Sequence, residues 1–388
     1  MRQIKSLPLL LVCIGLNLFG FTSLLYADQL EYKTEYVEDN TQLKVLTSTF
    51  TLAKTLFQHT VVLLDIQLDQ LTLPPAKADI ISGASRPQRN ALQGIEYKKN
   101  RGQFIVGAEQ GLGSNTQVSL NYYNSQEEDY RSQAVIGGLT QELFNKNLTV
   151  SLLGQYDFDF VGEILTDGSV RDRNKEVFRG AISFTQLLNP TTFLNFGFDG
   201  RLDSGYLGDP YRTTPFGDLN KTLVPEKENL PNARYRSGAF IGLNHFLTSL
   251  NGSVLINYRY YWDDWEINSN TLSFKLNKYI NRNWIFSPEY RFYTQTKSIY
   301  YKQTISTSDL GAYYSSDPKL ANFDDHTASA TLTCFLRTFV DGNPDLDFLQ
   351  QSSISLMYSR YFRRRIQSSY GPENLSSNVY EASLRFSF

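Results

Sequence analysis

From Leu148 to Phe160 the chain alternates apolar and polar residues for thirteen positions. Leu148, Val150, Leu152, Gly154, Tyr156, Phe158 and Phe160 would share one face of an extended strand. Thr149, Ser151, Leu153, Gln155, Asp157 and Asp159 would share the other. A period of two is the mark of a strand whose faces meet different solvents. Strands in soluble proteins run about 5–6 residues, whereas a tilted strand crossing a bilayer needs about 9–11. The rhythm recurs in SVLINYRYYWD, where Val254, Ile256, Tyr258, Tyr260 and Trp262 oppose Leu255, Asn257, Arg259, Tyr261 and Asp263. It recurs again in NWIFSPEYRFYTQ and in the terminal VYEASLRFSF, with aromatics gathered towards strand ends as in an interfacial girdle.

One uncharged stretch, Gly180 to Phe198, could be scored as a membrane-spanning helix, but Asn189-Pro190 sits at its centre. Proline there would break a helix and suits a tight turn, so the stretch reads as a hairpin. Continued along the chain, the pattern predicts about sixteen strands, near 28–37, 42–53, 57–72, 102–111, 115–124, 132–145, 147–161, 176–188, 191–202, 235–248, 252–263, 267–278, 283–296, 325–339, 351–363 and 377–388. Their connections largely alternate short and long, apart from a short joint near Glu266 and a longer one at 340–350. The expected fold is all-β: a transmembrane antiparallel β-barrel of about sixteen strands with short periplasmic turns and long extracellular loops. Closure requires the last strand to pair with the first, because unpaired amides in hydrocarbon cost several kcal/mol each. Over 235–248 the apolar positions move to odd numbers, with Tyr235, Ala239, Ile241 and Leu243 facing lipid, and a bulge is one way to reset that phase.

Composition narrows the class further. The chain has 388 residues, a net charge of −2, 25 Tyr and 26 Phe, so no field of one sign exists to attract nucleic acid. Mean hydropathy is negative, which is foreign to a helical membrane protein. Residues 1–27 read as a cleaved secretory signal: Arg2 and Lys5, an apolar run from Leu7 to Phe21, and Ala27 at the cut point. Residues 28–388 are then one barrel domain destined for the bacterial outer membrane. Cleavage would remove Cys13 and leave Cys334 alone, so neither an internal disulfide nor a cysteine-built zinc site is expected.

Several stretches resemble a family of bacterial outer-membrane proteins known only as a domain of unknown function. They are ADIISGAS (Ala78–Ser85), TQLLNPTT (Thr185–Thr192), DSGYLGDPYR (Asp203–Arg212), YRYYWDDWEINSNTL (Tyr258–Leu272) and YRFYTQ (Tyr290–Gln295). The resemblance implies a whole-chain barrel and brings no known activity. The terminal aromatic Phe388 also resembles the recognition signal of the barrel-insertion machinery, which with outer-membrane lipid makes up the expected partners.

Taking the polar face of each strand as inward gives lumen-lining candidates Asp157, Asp159, Arg179, Arg201, Arg259, Lys275, Glu289 and Arg291. A wall of mixed charges suits a water-filled lumen, and equally suits pairs that merely fill the interior. The excess of arginine hints at a mild anion preference. Asp209, Asp263, Asp264, Asp324 and Asp325 fall near long-loop ends and form an extracellular rim set. They could supply oxygen ligands to calcium or simply cap turns; no metal or cofactor is assigned. No catalytic residue is assigned either. His326, beside Asp325, is the one tempting base for a rim hydrolase, and Ser85 misses the Gly-x-Ser-x-Gly elbow. The expected function is a passive pore or channel for small solutes. A structural barrel holding a periplasmic or extracellular partner is the alternative, with a hydrolase third.

Overall fold

The computed structural model of the chain describes residues 28–57, 59–73, 97–164, 169–209, 212–217, 224–337, 349–365 and 374–387. The proposed signal at 1–27, the ADIISGAS stretch and Phe388 lie outside these residues. The strands are β1 (Gln29–Asp39), β2 (Lys44–Leu56), β3 (Thr60–Leu73), β4 (Tyr97–Leu112), β5 (Thr116–Gln126) and β6 (Tyr130–Leu143). Next come β7 (Leu148–Ile164), β8 (Val170–Asn189), β9 (Thr192–Gly205), the short β10 (Thr213–Phe216) and β11 (Val224–Lys227), and β12 (Ala233–Leu247). The chain continues through β13 (Gly252–Asp263), β14 (Asn268–Tyr279), β15 (Trp284–Gln295), β16 (Phe323–Phe335), β17 (Ser353–Arg365) and β18 (Asn374–Ser387).

Among the described residues, sixteen strands close into one antiparallel barrel, and β10 with β11 form a separate two-stranded sheet. The head-to-tail seam pairs β1 with β18 without a gap, from Gln29 opposite Ser387 to Asp39 opposite Ser377. No amide ladder is left open at the closure, which is what a hydrocarbon environment demands. The start of β1 and the end of β18 lie at the short-turn, periplasmic end. The turns there are tight enough to hold Phe144, Asn145, Lys146 and Asn251 at positive φ.

Because directly paired residues share a face, the register fixes which side chains look outward. Leu120, Phe178, Phe198 and Leu356 are each about 60% exposed on the outer surface, while Asp157, Asp159 and Asp203 are buried on the inner one. An apolar outside with a polar inside identifies a membrane-spanning barrel of the outer-membrane type. No helix among the described residues is long and apolar enough to cross a membrane.

The phase change in β12 needs no bulge. β12 pairs continuously with β9 from Ala233 to His245, and the register irregularity on this wall lies between Leu187 and Asn189 in β8. Each strand is re-phased by the length of the connection before it, so the parity of its outward positions carries no meaning. A second difference is the height of the β7–β8 hairpin, which runs 17 and 20 residues. The expected loop at 162–175 is mostly strand because the hairpin continues above the bilayer, where Arg173 pairs with Glu163 at 3.1 Å.

The two-faced register makes a direct prediction. Leu120→Arg, near the middle of β5 on the lipid face, should destabilise the folded barrel by about 2–4 kcal/mol. Ser119→Arg, one residue earlier, faces the lumen opposite Glu109 and should cost little. Folded fraction in lipid vesicles across a urea series measures both.

Candidate functional site

The outer mouth of the barrel is roofed by its own loops. The key local structure is the β13–β14 turn, Asp263 to Ile267. Asp263 Oδ1 accepts backbone N–H bonds from Trp265 at 3.0 Å and Ile267 at 2.9 Å. Its other oxygen accepts from Tyr261 Oη at 2.7 Å and Arg234 Nε at 3.0 Å. Glu266 takes a positive φ of 62° to close the turn. This drives Trp265 and Ile267 down into the mouth, where with Leu320 they form a small buried apolar cluster. Leu207 and Leu230 from the β9–β12 connection, and Tyr300 and Tyr301 from the β15–β16 connection, pack around it.

The two connections are also stitched to each other through backbone hydrogen bonds. Asn229 N–H donates to Tyr314 O at 3.0 Å and Tyr314 N–H returns the bond at 2.6 Å; Gly217 N–H donates to Ile305 O at 2.9 Å. Glu228 adds a side-chain clasp, accepting from Ser315 Oγ at 2.5 Å and from the Asp209 N–H. The result is a cap tied to the sheet at Trp265, where Ile299 N–H donates to the Trp265 carbonyl at 3.1 Å.

Beneath the cap lies a cavity of about 790 Å³, lined by charged and aromatic side chains from the wall and the cap. That size falls in the range of about 300–1,000 Å³ typical of small-molecule sites. Tyr206, Tyr261, Trp265 and Tyr293 supply aromatic surface, and Arg234, Arg236 and Lys319 supply cations. Asp203, wholly buried, lies between Arg201 and Arg236 at 2.6 and 3.0 Å. Lys99, also buried, is held by Glu127 at 2.5 Å and Asp129 at 2.8 Å. Arg234 stacks over the Trp265 ring at 4.3 Å.

The eight lumen candidates stand on the inner wall, and most are paired. Asp157 meets Arg179 at 3.0 Å, and Lys275 meets Glu289, its direct cross-strand partner, at 3.6 Å. Asp159 holds Lys175 at 3.3 Å and accepts from Tyr130 Oη at 2.5 Å. Arg259 grips Asp199 through two hydrogen bonds of 2.5 and 2.8 Å, and Arg291 lies over Tyr293 at 5.4 Å.

The rim aspartates are not brought together into one set. Asp209 faces Arg212 at 3.4 Å, Asp264 accepts from the Tyr235 N–H at 3.0 Å, and Asp324 meets Arg364 at 3.2 Å. Asp325 takes a bidentate grip from Arg363 at 2.8 and 3.0 Å. Among the described residues no three His, Cys, Asp or Glu side chains are grouped to hold a metal ion. His326 and Asp325 occupy opposite faces of β16. Asp325 points inward to Arg363, while His326 sits outside, with Nδ1 2.7 Å from Tyr290 Oη.

Sequence reasoning missed Lys175, Asp203, Tyr206, Arg234, Arg236, Glu228 and Trp265. Three of these, Asp203, Tyr206 and Trp265, lie in the two stretches DSGYLGDPYR and YRYYWDDWEINSNTL, which the fold places around one cavity. Their clustering in motifs was the available signal.

Glu228 belongs to the cap, outside the membrane-spanning strands. Burial pushes its carboxyl up to about 7, against the pull of Ser315, the Asp209 amide and Arg212; Asp317 adds to the rise. Burial likewise pushes the Lys319 ammonium down. A raised carboxyl holds its proton more tightly in the closed cap than in solvent. The closed cap is therefore favoured at low pH and loses stability as pH rises from about 4.5 through about 7. Limited proteolysis of the cap should accelerate between pH 6 and pH 8 in the wild type relative to Glu228→Gln, which has no proton to lose. An equal ratio at both values would refute the clasp.

Three solved structures are similar to the chain in overall shape. The chain is similar to the CymD monoaromatic hydrocarbon channel, at 9% identity over 97% of this chain and 92% of that one, with a TM-score of 0.43. It is similar to a bacterial polysaccharide outer membrane secretin, at 7% identity over 93% and 98%, with a TM-score of 0.49. It is similar to Pseudomonas aeruginosa OccD3 (OpdP), at 9% identity over 93% and 91%, with a TM-score of 0.46. These are likenesses of overall shape, and the fold itself rests on the strand pairing given above. No curated protein matches the sequence at a significant level. A family model does match, over residues 29–352, which takes in every barrel strand from β1 to β16. The chain therefore belongs to the family described as "Protein of unknown function (DUF3570)".

Proposed function

We propose that the barrel is a passive pore for small solutes, constricted at its outer mouth by the cap. The observation that carries this reading is the charged cavity of about 790 Å³ lying between the cap and the polar inner wall. A barrel meant only as a scaffold gains nothing from a solute-sized space under its roof. The solute would enter past the cap, dwell among the wall charges and leave towards the periplasm. Residues 1–27 as a cleaved signal and Phe388 as the insertion signal belong to the same proposal. No observation favours a hydrolase, since His326 and Asp325 face opposite ways.

The test is conductance in planar bilayers after verified insertion. Discrete channel steps, with a reversal potential shifted towards the anion, are the expected result. A sealed membrane would overturn the pore.

A further inference from the structure

We propose that the guanidinium row Arg179–Arg201–Arg236 on the inner wall is a binding site for the oxyanion of a small solute, with Arg236 presenting the anchor to the capped cavity. The inference deepens the pore reading and rests on it for the route by which the solute arrives.

Three observations carry it. First, the register sets the three arginines side by side on adjacent strands. Arg179 is directly opposite Arg201, and Arg201 directly opposite Arg236. Neighbouring strands are only about 4.8 Å apart, and like charges facing each other are destabilising. Second, the charges within the row do not balance, although the cavity lining as a whole carries six cations and six carboxylates. Arg179 has Asp157, whereas Arg201 and Arg236 share Asp203. The nearby cations Lys175, Arg234 and Arg259 each have their own carboxylate in Asp159, Asp263 and Asp199. One positive charge is left over in the row.

Third, Arg236 is under-satisfied. It reaches Asp203 through Nε at 3.0 Å, but neither Arg236 Nε nor Asp203 Oδ2 makes a hydrogen bond there, although both atoms are buried. Its terminal amino groups have no acceptor among the described residues, and about 30% of the side chain is open. Arg259, which stands opposite Phe240 lower on the same wall, makes the contrast: its fork is filled by Asp199. A guanidinium fork matches a carboxylate or a phosphate in geometry and charge. Tyr261 and Trp265 beside it give the rest of an organic solute an aromatic surface.

The test uses the full-length protein folded in detergent, with calorimetric titration at constant ionic strength in a chloride background. One arm titrates inorganic phosphate and the other gluconate, which separates the two sources of oxyanion. At least one should bind, and Arg236→Gln should weaken it at least tenfold. Arg337→Gln removes one arginine at the periplasmic end, where it donates to Asn283, and should leave binding unchanged. Should Arg236→Gln fail to fold, Arg236→Lys keeps the charge and loses the fork, and should weaken binding by a smaller factor. The site is refuted if neither oxyanion binds, if both Arg236 variants bind as the wild type does, or if Arg337→Gln weakens binding equally. Binding without conductance would sink the pore and leave the site. Conductance with unaltered binding in the Arg236 variants would do the reverse.

Discussion

Deleting residues 299–319 and rejoining Ser298 to Leu320 through a short Gly-Ser link is expected to raise single-channel conductance several-fold. The two ends already meet, since Ser298 N–H donates to the Leu320 carbonyl at 2.8 Å. The deletion removes Tyr300, Tyr301, Ile305, Tyr314 and Ser315, and with them the stitches that hold the β9–β12 connection over the mouth. Barrel strands β15 and β16 keep their pairing from Gln295 opposite Phe323 downwards, so the sheet should still close. A barrel of about sixteen strands without an inward roof encloses an aqueous channel. Conductance of folded, inserted protein equal to wild type would mean that the cap is not the constriction.

The second large effect concerns Asp203. Its carboxylate is wholly buried against Arg201 and Arg236, with Arg179 next in the row. Asp203→Ala removes the shared counter-charge and leaves three adjacent guanidiniums with Asp157 alone. Breaking a buried ion pair by deleting one partner costs about 3–5 kcal/mol. The lower end, about 3 kcal/mol, is expected here because the two arginines are about a quarter to a third open to lumen water. Heat-modifiable electrophoretic mobility and urea unfolding in detergent would read the loss. Glu289→Ala is the comparison. Its partner Lys275 is 3.6 Å away and both side chains are more than a third exposed, so water takes over the charge and the change should stay under about 1 kcal/mol. Equal stabilities for the two variants would contradict the role given to Asp203.

The sequence by itself determined the barrel. Alternation over Leu148–Phe160, Val254–Asp263 and Tyr380–Phe386 is a local property, enforced by lipid on one face and water on the other, so it can be read without knowing any distant contact. The same rule put Asp157, Arg179, Arg201 and Arg259 on the polar face, because side-chain direction follows from position in a strand. The alternation stopped being informative where the chain left the membrane. Above the bilayer both faces meet water, the period loses its meaning, and β10, β11 and the top of the β7–β8 hairpin went unread. The cap and its cavity were decided only by tertiary structure. Glu228, Ser315 and Trp265 lie far apart in sequence and meet because closure of the sheet brings the β9–β12, β13–β14 and β15–β16 connections over one mouth. Charge pairing is equally non-local: that Arg236 must share Asp203 while Arg259 has Asp199 to itself depends on the strand register, which the outward pattern constrains only in phase.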